Sequence, residues 1–92
     1  MKEEALDIAL KHIGNKLAEL RKKKGYTSHE SFAYDHDIPR MHYWRIENGR
    51  TNITIRSLMK ILAIHGITLQ EFFELLPKEQ NGKSGVQNID PN

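Results

Sequence analysis

Apolar side chains in the first quarter of the chain recur at the spacing of one helix face, and this periodicity limits the available folds more than any other feature. The steps between them are four, three, four and three residues, which places them on one side of an α-helix. Three lysines and Gly25 follow, which is typical of a helix end because glycine adopts the left-handed cap conformation easily. The segment therefore predicts one long amphipathic helix. Its inward positions are Leu6, Leu10, Ile13, Leu17 and Leu20.

Start and stop signals divide the next residues into a second and a third short helix. Thr27 and Glu30 have the spacing of a capping box, so the second helix is expected to open there. The third helix is expected to start near Pro39, because proline suits a first helical turn, and to end at an Asn-Gly pair. The inward residues predicted for these two helices are Phe32, Ala33, Tyr43 and Ile46.

Two more helices are expected before the sequence turns polar. Thr54 is the predicted N-cap of the fourth helix, which stops at Gly66. Thr68 and Glu71 repeat the capping-box spacing at the start of the fifth helix, and Pro77 closes it. The apolar residues assigned to these helices are Leu58, Ile61, Leu62, Phe72, Phe73 and Leu76.

No stretch alternates between apolar and polar residues over the length of a strand, so the predicted fold class is all-α, a compact bundle of five helices. The 92 residues suit one small domain. The absence of cysteine excludes disulfides and thiolate metal sites. The apolar runs are too short to span a membrane, so we expect a cytoplasmic protein.

The formal net charge of +2 hides two basic blocks. Residues 11–24 hold six lysines and arginines against one glutamate, and residues 39–60 hold five against one. The segments around these blocks are acidic or neutral. Such alternation suits a protein that presents a basic face to a polyanion. For the run from Arg21 to Lys24, solvation of a helix end by cations that favour its dipole is an equally good interpretation.

The third helix exposes unusual residues for a helix that only packs. With Tyr43 and Ile46 turned inward, its other faces carry arginine, histidine, tryptophan and methionine. Arginine forks onto guanine O6 and N7, and apolar side chains contact thymine methyl groups. Only a few residues join the second and third helices, and a short connection of this kind is typical of a helix-turn-helix. Ala33 is small enough to let the two helices approach each other closely. We therefore predict that this pair of helices binds double-stranded DNA, and that the protein is associated with the nucleoid when it is bound.

From Ile13 to Phe73 the sequence resembles the helix-turn-helix domain of phage repressors, Cro and the xenobiotic-response-element regulators. An Ile-Glu-Asn-Gly element at the end of the third helix is the most specific part of the resemblance. The resemblance implies an N-terminal extension of the first helix over residues 1–12 and a DNA-binding domain over 13–76. The residues 77–92 are polar, with few large apolar groups, and this composition predicts a disordered tail. The matching residues are Ile13-Gly14, Leu17, Leu20-Arg21, Phe32-Ala33, Ile38, Tyr43, Ile46-Glu47-Asn48-Gly49, Leu58, Ile61-Leu62-Ala63, Leu69 and Phe72-Phe73.

The resemblance implies a sequence-specific transcription regulator that reads the major groove with the helix Pro39–Glu47. Family regulators usually bind two-fold symmetric operators, so a homodimer is expected. Glu47 is expected to serve the structure. The residues expected to read bases are Arg40, Met41, His42 and Arg45. Those expected to hold the DNA backbone are His29, Asn48, Arg50, Thr51, Asn52 and Lys16.

Three positions depart from the family pattern. Pro39 stands where serine or threonine is common, so a hydroxyl contact and the usual cap are lost. The turn before the second helix is one residue longer, which puts the role of His29 in doubt. Trp44 is large for a position that is usually small or polar, and it either wedges against DNA sugars or covers the edge of the core.

A protein-interaction module, such as an antitoxin or adaptor with little DNA affinity, is the alternative function. The apolar face formed by Leu6, Leu10 and Ile13 extends beyond the minimal domain, and it could meet a second copy or another protein. Packing of that face within the chain, against the last helix, explains it equally well.

The sequence does not predict an enzyme, because it lacks a phosphate-binding glycine loop and a nucleophile elbow. No cofactor is expected. The five histidines do not form the close pairs or carboxylate sets of a zinc site, so no metal site is expected.

Overall fold

The computed structural model describes residues 3–78, which form five α-helices. Within this range there is no strand, which confirms the predicted all-α class and the number of helices. The helices are α1 (Glu3–Lys23), α2 (His29–Asp35), α3 (Arg40–Glu47), α4 (Ile55–His65) and α5 (Leu69–Leu75).

The core lies where all five helices meet, and Phe32 of α2 is at its centre. The Phe32 ring contacts four other rings, with centroid distances of 4.6 Å to His36, 5.0 Å to Tyr43, 5.2 Å to Tyr26 and 5.4 Å to His65. Burial of such large side chains is the main force that holds short helices together. Most of the predicted inward positions are confirmed as buried: Leu17, Phe32, Ala33, Tyr43, Ile46, Leu58, Ile61, Leu62 and Phe72.

The apolar face of α1 packs mainly on α3 and α2 rather than on the last helix. A Cβ atom at Gly14 would lie 2.4 Å from the carbonyl oxygen of Glu47 and 2.6 Å from that of Ile46. Glycine at this position therefore lets α1 touch the last turn of α3. Leu10 is buried and Ile13 packs against the core, whereas Leu6 is half-buried.

Two predicted helix starts are wrong by one residue. The N-cap of α2 is Ser28, whose hydroxyl accepts from the Ser31 amide at 3.1 Å, so the expected capping box of Thr27 and Glu30 does not form. Pro39 is the N-cap of α3 and not its first helical residue, because its ψ of 129° is extended. A proline has no side-chain acceptor, so α3 begins without a side-chain cap.

The caps of α4 and α5 follow the prediction. The Thr54 hydroxyl accepts from the Ser57 amide at 3.0 Å, and Gly66 ends α4 in the left-handed conformation with φ of 70°. Thr68 and Glu71 form the complete capping box at α5. The Phe73 side chain, assigned to α5 from the sequence, is 45% exposed.

None of the five helices has both the length and the apolar character needed to cross a membrane. The predicted division of the chain at 12/13 and 76/77 stays a prediction, and α1 runs without a break across the first boundary. Apart from Pro77 and Lys78, the predicted polar tail lies outside the described residues.

Candidate nucleic-acid interface

Helices α2 and α3 form a helix-turn-helix whose turn is fixed by backbone contacts. The Ile38 amide donates to the carbonyl oxygen of Ala33 at 2.9 Å, and Asp37 adopts a positive φ of 58°. Ala33 is buried where the two helices meet, as the sequence predicted. These contacts set the angle at which α3 leaves the turn. The inner side of α3 packs into the core.

Helix α3 separates its residues into a buried and an exposed side. Tyr43 and Ile46 are buried, and at 100° per residue Met41 and Arg45 lie opposite them. Met41 is 48% exposed, so its apolar side chain is accessible from outside. Arg40 and His42 are exposed on the flanks of this face. The four side chains expected to read bases are therefore all accessible on one helix.

Arg40 forms an ion pair that sequence reasoning missed. Its Nη1 atom donates to Oε2 of Glu30, in the first turn of α2, at 2.8 Å. The Arg40 and Glu30 side chains are 61% and 56% exposed, so water screens the pair. Because the two residues are ten positions apart and on different helices, no spacing rule for a single helix could have found this contact.

The segment after α3 places four of the expected backbone-contacting residues beside the helix end. Asn48 donates from Nδ2 to the carbonyl oxygen of Trp44 at 2.9 Å. The guanidinium carbon of Arg50 lies 5.9 Å from the centre of the Trp44 ring, within range of a cation–π interaction. Asn52 is exposed and Thr51 is half-buried. Trp44 itself is half-buried, and the guanidinium group of Arg50 lies over its ring.

A buried ion pair ties the end of α3 to the end of α1. Arg21 donates from Nε to Oε2 of Glu47 at 2.7 Å and from Nη2 to Oε1 at 3.0 Å. Its Nη1 atom donates to the carbonyl oxygen of Tyr26 at 2.9 Å. Hydrogen bonding to Glu47 raises the pKa of Arg21. The structural role expected of Glu47 is therefore confirmed, whereas Arg21 is 6% exposed and does not add to a basic surface.

The Tyr43 hydroxyl is buried near this ion pair. Within residues 3–78 it has no hydrogen-bond partner. Burial raises the pKa of Tyr43, and the nearby Glu47 carboxylate raises it further. The tyrosine therefore stays neutral, and α3 presents no charge toward the core at this position.

Two other expected backbone contacts lie outside α3 and its loop. The Lys16 ammonium group donates to Oε1 of Glu19 on its own helix at 2.8 Å. His29 is the first residue of α2 and is half-buried. Within the described range, His, Asp and Glu side chains do not gather in a group of three that could hold a metal ion.

A helix-turn-helix held by a buried core, with a basic and partly apolar outer face on its second helix, defines a DNA-binding transcription regulator. The model of the family described as Helix-turn-helix matches residues 17–72. This match covers more than half of the chain, and the chain belongs to the Helix-turn-helix family.

Three similar proteins bear names of control proteins. The chain is 48% identical over 73 residues to control protein C.MunI of Mycoplasma sp, covering 79% of this chain and 97% of that protein. It is 35% identical over 60 residues to plasmid copy control protein CopR of Streptococcus agalactiae, covering 65% of this chain and 63% of that protein. The crystal structure of the restriction-modification controller protein C.AhdI from Aeromonas hydrophila superimposes with a TM-score of 0.63 at 29% identity, covering 72% of this chain and 98% of that one.

Proposed function

We propose that this protein controls the transcription of a restriction–modification system by binding a specific DNA site ahead of its genes. The observation that carries the proposal is the outer face of α3, which exposes arginine, methionine and histidine opposite a buried side. The choice of a restriction–modification system is supported by the likeness to C.AhdI, which is a restriction-modification controller protein. The likeness to the control protein C.MunI agrees with this choice.

The proposed base-reading residues are Arg40, Met41, His42 and Arg45. Arg45 has the most direct approach, because it lies opposite the buried Tyr43 and has no ion-pair partner within residues 3–78. The Met41 side chain offers an apolar surface to a thymine methyl group. His42 can donate or accept, according to its tautomer. Arg40 is paired with the exposed carboxylate of Glu30.

The proposed backbone contacts come from the α3–α4 loop and two flanking helices. Arg50 is held against Trp44, so its guanidinium loses little freedom when it binds a phosphate. Asn48, Thr51 and Asn52 offer neutral hydrogen bonds to phosphate or sugar. Lys16 would first have to leave Glu19, and His29 lies at the start of α2. Pro39 is the N-cap of α3 and has no backbone N–H group to offer to DNA. Trp44 supports the guanidinium group of Arg50.

We propose a homodimer as the binding form. Helix α3 has 8 residues and is therefore roughly 12 Å long. It can follow only about three or four base pairs at 3.4 Å each, which is too short a sequence for a regulator to find in a genome. Two copies on a two-fold symmetric site double the length that is read.

The expected seam of Leu6, Leu10 and Ile13 is a poor surface for the second copy, because the last two side chains pack into the chain's own core. Phe73 of α5 is 45% exposed, and a second copy packed against it would remove this ring from water. Sedimentation velocity tests this choice. Ile8 is an exposed apolar residue of α1. A dimer that dissociates in Phe73→Ser and persists in Ile8→Ser supports the choice of α5, and the reverse pattern contradicts it.

Selection of duplexes from a random pool tests the proposed function directly. A recovered sequence with two-fold symmetry, bound with an affinity that falls steeply as salt rises, supports specific DNA binding by a dimer. Failure to bind any duplex at low salt would favour the alternative, an interaction module for another protein. The recovered sequence is then sought in the source genome. A location ahead of restriction endonuclease and methyltransferase genes supports the proposed target, and a location elsewhere contradicts it.

A further inference from the structure

Glu30 places a carboxylate next to the proposed base-reading residue Arg40. Its position in the first turn of α2 is favourable for the helix dipole, which accounts for an acidic residue there. The dipole does not account for the contact with Arg40 of the next helix at 2.8 Å. A carboxylate beside a surface that receives DNA also repels phosphates, so its presence there weakens binding to DNA of any sequence.

The geometry of the ion pair leaves half of the guanidinium free. Glu30 accepts from Nη1 of Arg40, whereas the Nε and Nη2 atoms of Arg40 make no hydrogen bond within residues 3–78. Those two nitrogens carry parallel N–H groups on one edge. An edge of this kind matches the O6 and N7 acceptors of guanine in the major groove.

We propose that Glu30 is a specificity-determining positioning residue, which holds Arg40 by Nη1 so that its Nε–Nη2 edge reads one guanine. This inference rests on the proposed function. If Arg40 turns to a phosphate, Glu30 is left unpaired beside the DNA backbone, which penalises binding to the wrong sequence. If Arg40 forks onto guanine, the ion pair is kept. Glu30 thus lowers non-specific affinity more than specific affinity.

Replacement of Glu30 by glutamine tests the proposal. Fluorescence anisotropy measures the affinity of each variant for the duplex selected by the wild-type protein and for a scrambled duplex of the same composition. The ratio of the two affinities is expected to fall about tenfold in Glu30→Gln, similar to Arg40→Ala. The double variant should lose no more than Arg40→Ala alone. Glu4→Gln makes the same change of charge at an exposed position in the first turn of α1, outside the candidate interface, and should keep the ratio.

A modified base separates positioning from general repulsion. The guanines of the selected duplex are replaced one at a time by 7-deazaguanine, which lacks the N7 acceptor. One replacement is expected to weaken the wild-type complex about tenfold, and to weaken the Arg40→Ala and Glu30→Gln complexes much less. Because Glu30 is exposed, both variants should keep the wild-type circular dichroism spectrum.

Two results distinguish failure of this inference from failure of the proposed function. If Glu30→Gln strengthens binding to both duplexes by the same factor, and 7-deazaguanine affects it as it affects the wild type, Glu30 only repels DNA and the inference is overturned. If the wild-type protein itself does not distinguish the two duplexes, the proposed function is overturned and the inference falls with it.

Discussion

Replacement of Glu47 by glutamine should destabilise the fold strongly, because it leaves the buried charge of Arg21 without a counter-charge. The side chains of Arg21 and Glu47 are each 7% exposed, so water cannot replace the lost carboxylate. Two hydrogen bonds, at 2.7 Å and 3.0 Å, end on this carboxylate. A glutamine keeps one acceptor and turns an NH₂ group toward a guanidinium that only donates. Loss of one partner of a buried pair typically costs about 3–5 kcal/mol.

A loss of that size is a large part of the total stability, which is about 5–15 kcal/mol for small domains. Urea unfolding at 25 °C, followed by far-UV circular dichroism, measures it directly. The double variant Arg21→Met/Glu47→Met is the control, since removal of both charges should restore the free energy of unfolding to within about 1–2 kcal/mol of the wild type. A Glu47→Gln variant within about 1 kcal/mol of the wild type, the net contribution of one hydrogen bond, would contradict this role of the ion pair.

Four further outcomes are expected. Gly14→Ala should lower the free energy of unfolding by about 1–3 kcal/mol in a urea titration, because its Cβ would lie 2.4 Å from a backbone oxygen of α3. Stability should fall as the pH drops below about 6.5, because burial, and then the charge of Lys24, lower the pKa of His65 in the fold. Arg45→Ala should flatten the preference for the selected duplex over a scrambled one. Arg50→Ala should weaken both duplexes equally and lower the salt slope by roughly 1.

The sign of the pH effect follows from proton uptake. The unfolded state keeps the ordinary His65 pKa and the fold has a lower one, so unfolding takes up a proton between the two values. The stabilisation is complete above the unfolded pKa and is lost as the pH falls toward the folded one. His65→Phe keeps a ring against Phe32 and should flatten this part of the pH profile. An unchanged slope in that variant contradicts the assignment to His65.

For each of the other substitutions, one result would contradict the expected outcome. Gly14→Ala with wild-type stability would mean that α1 and α3 do not touch as described. Asn15→Ala, at an exposed position of the same helix, serves as the control. Arg45→Ala with full discrimination removes Arg45 from the base-reading set. An Arg50→Ala variant that loses discrimination, while its salt slope stays unchanged, assigns Arg50 to bases instead of phosphates.

The sequence predicted the features that depend on neighbours along the chain. The caps of α4 and α5 are local hydrogen bonds between residues three apart, so Thr54 and the Thr68 capping box could be found from spacing alone. The inward positions of α3 followed equally from helix periodicity, because Tyr43 and Ile46 lie on one side.

Features that depend on contacts between helices were missed or misplaced. The ion pairs of Arg21 with Glu47 and of Arg40 with Glu30 join residues 26 and 10 positions apart. Charge counting assigned Arg21 to a basic block, although the fold buries it. At the start of α2 the sequence offers two adjacent hydroxyls, and the structure uses Ser28 rather than Thr27.

We propose that α3 and its following loop form the surface that contacts DNA. Amide chemical-shift mapping by NMR, with the selected duplex added to labelled protein, locates this surface residue by residue. We expect the largest shifts in residues 39–52 and in the first turn of α2, with small changes in the buried part of α4. Large shifts confined to the first half of α1 or to α5, with residues 39–52 unmoved, would contradict it.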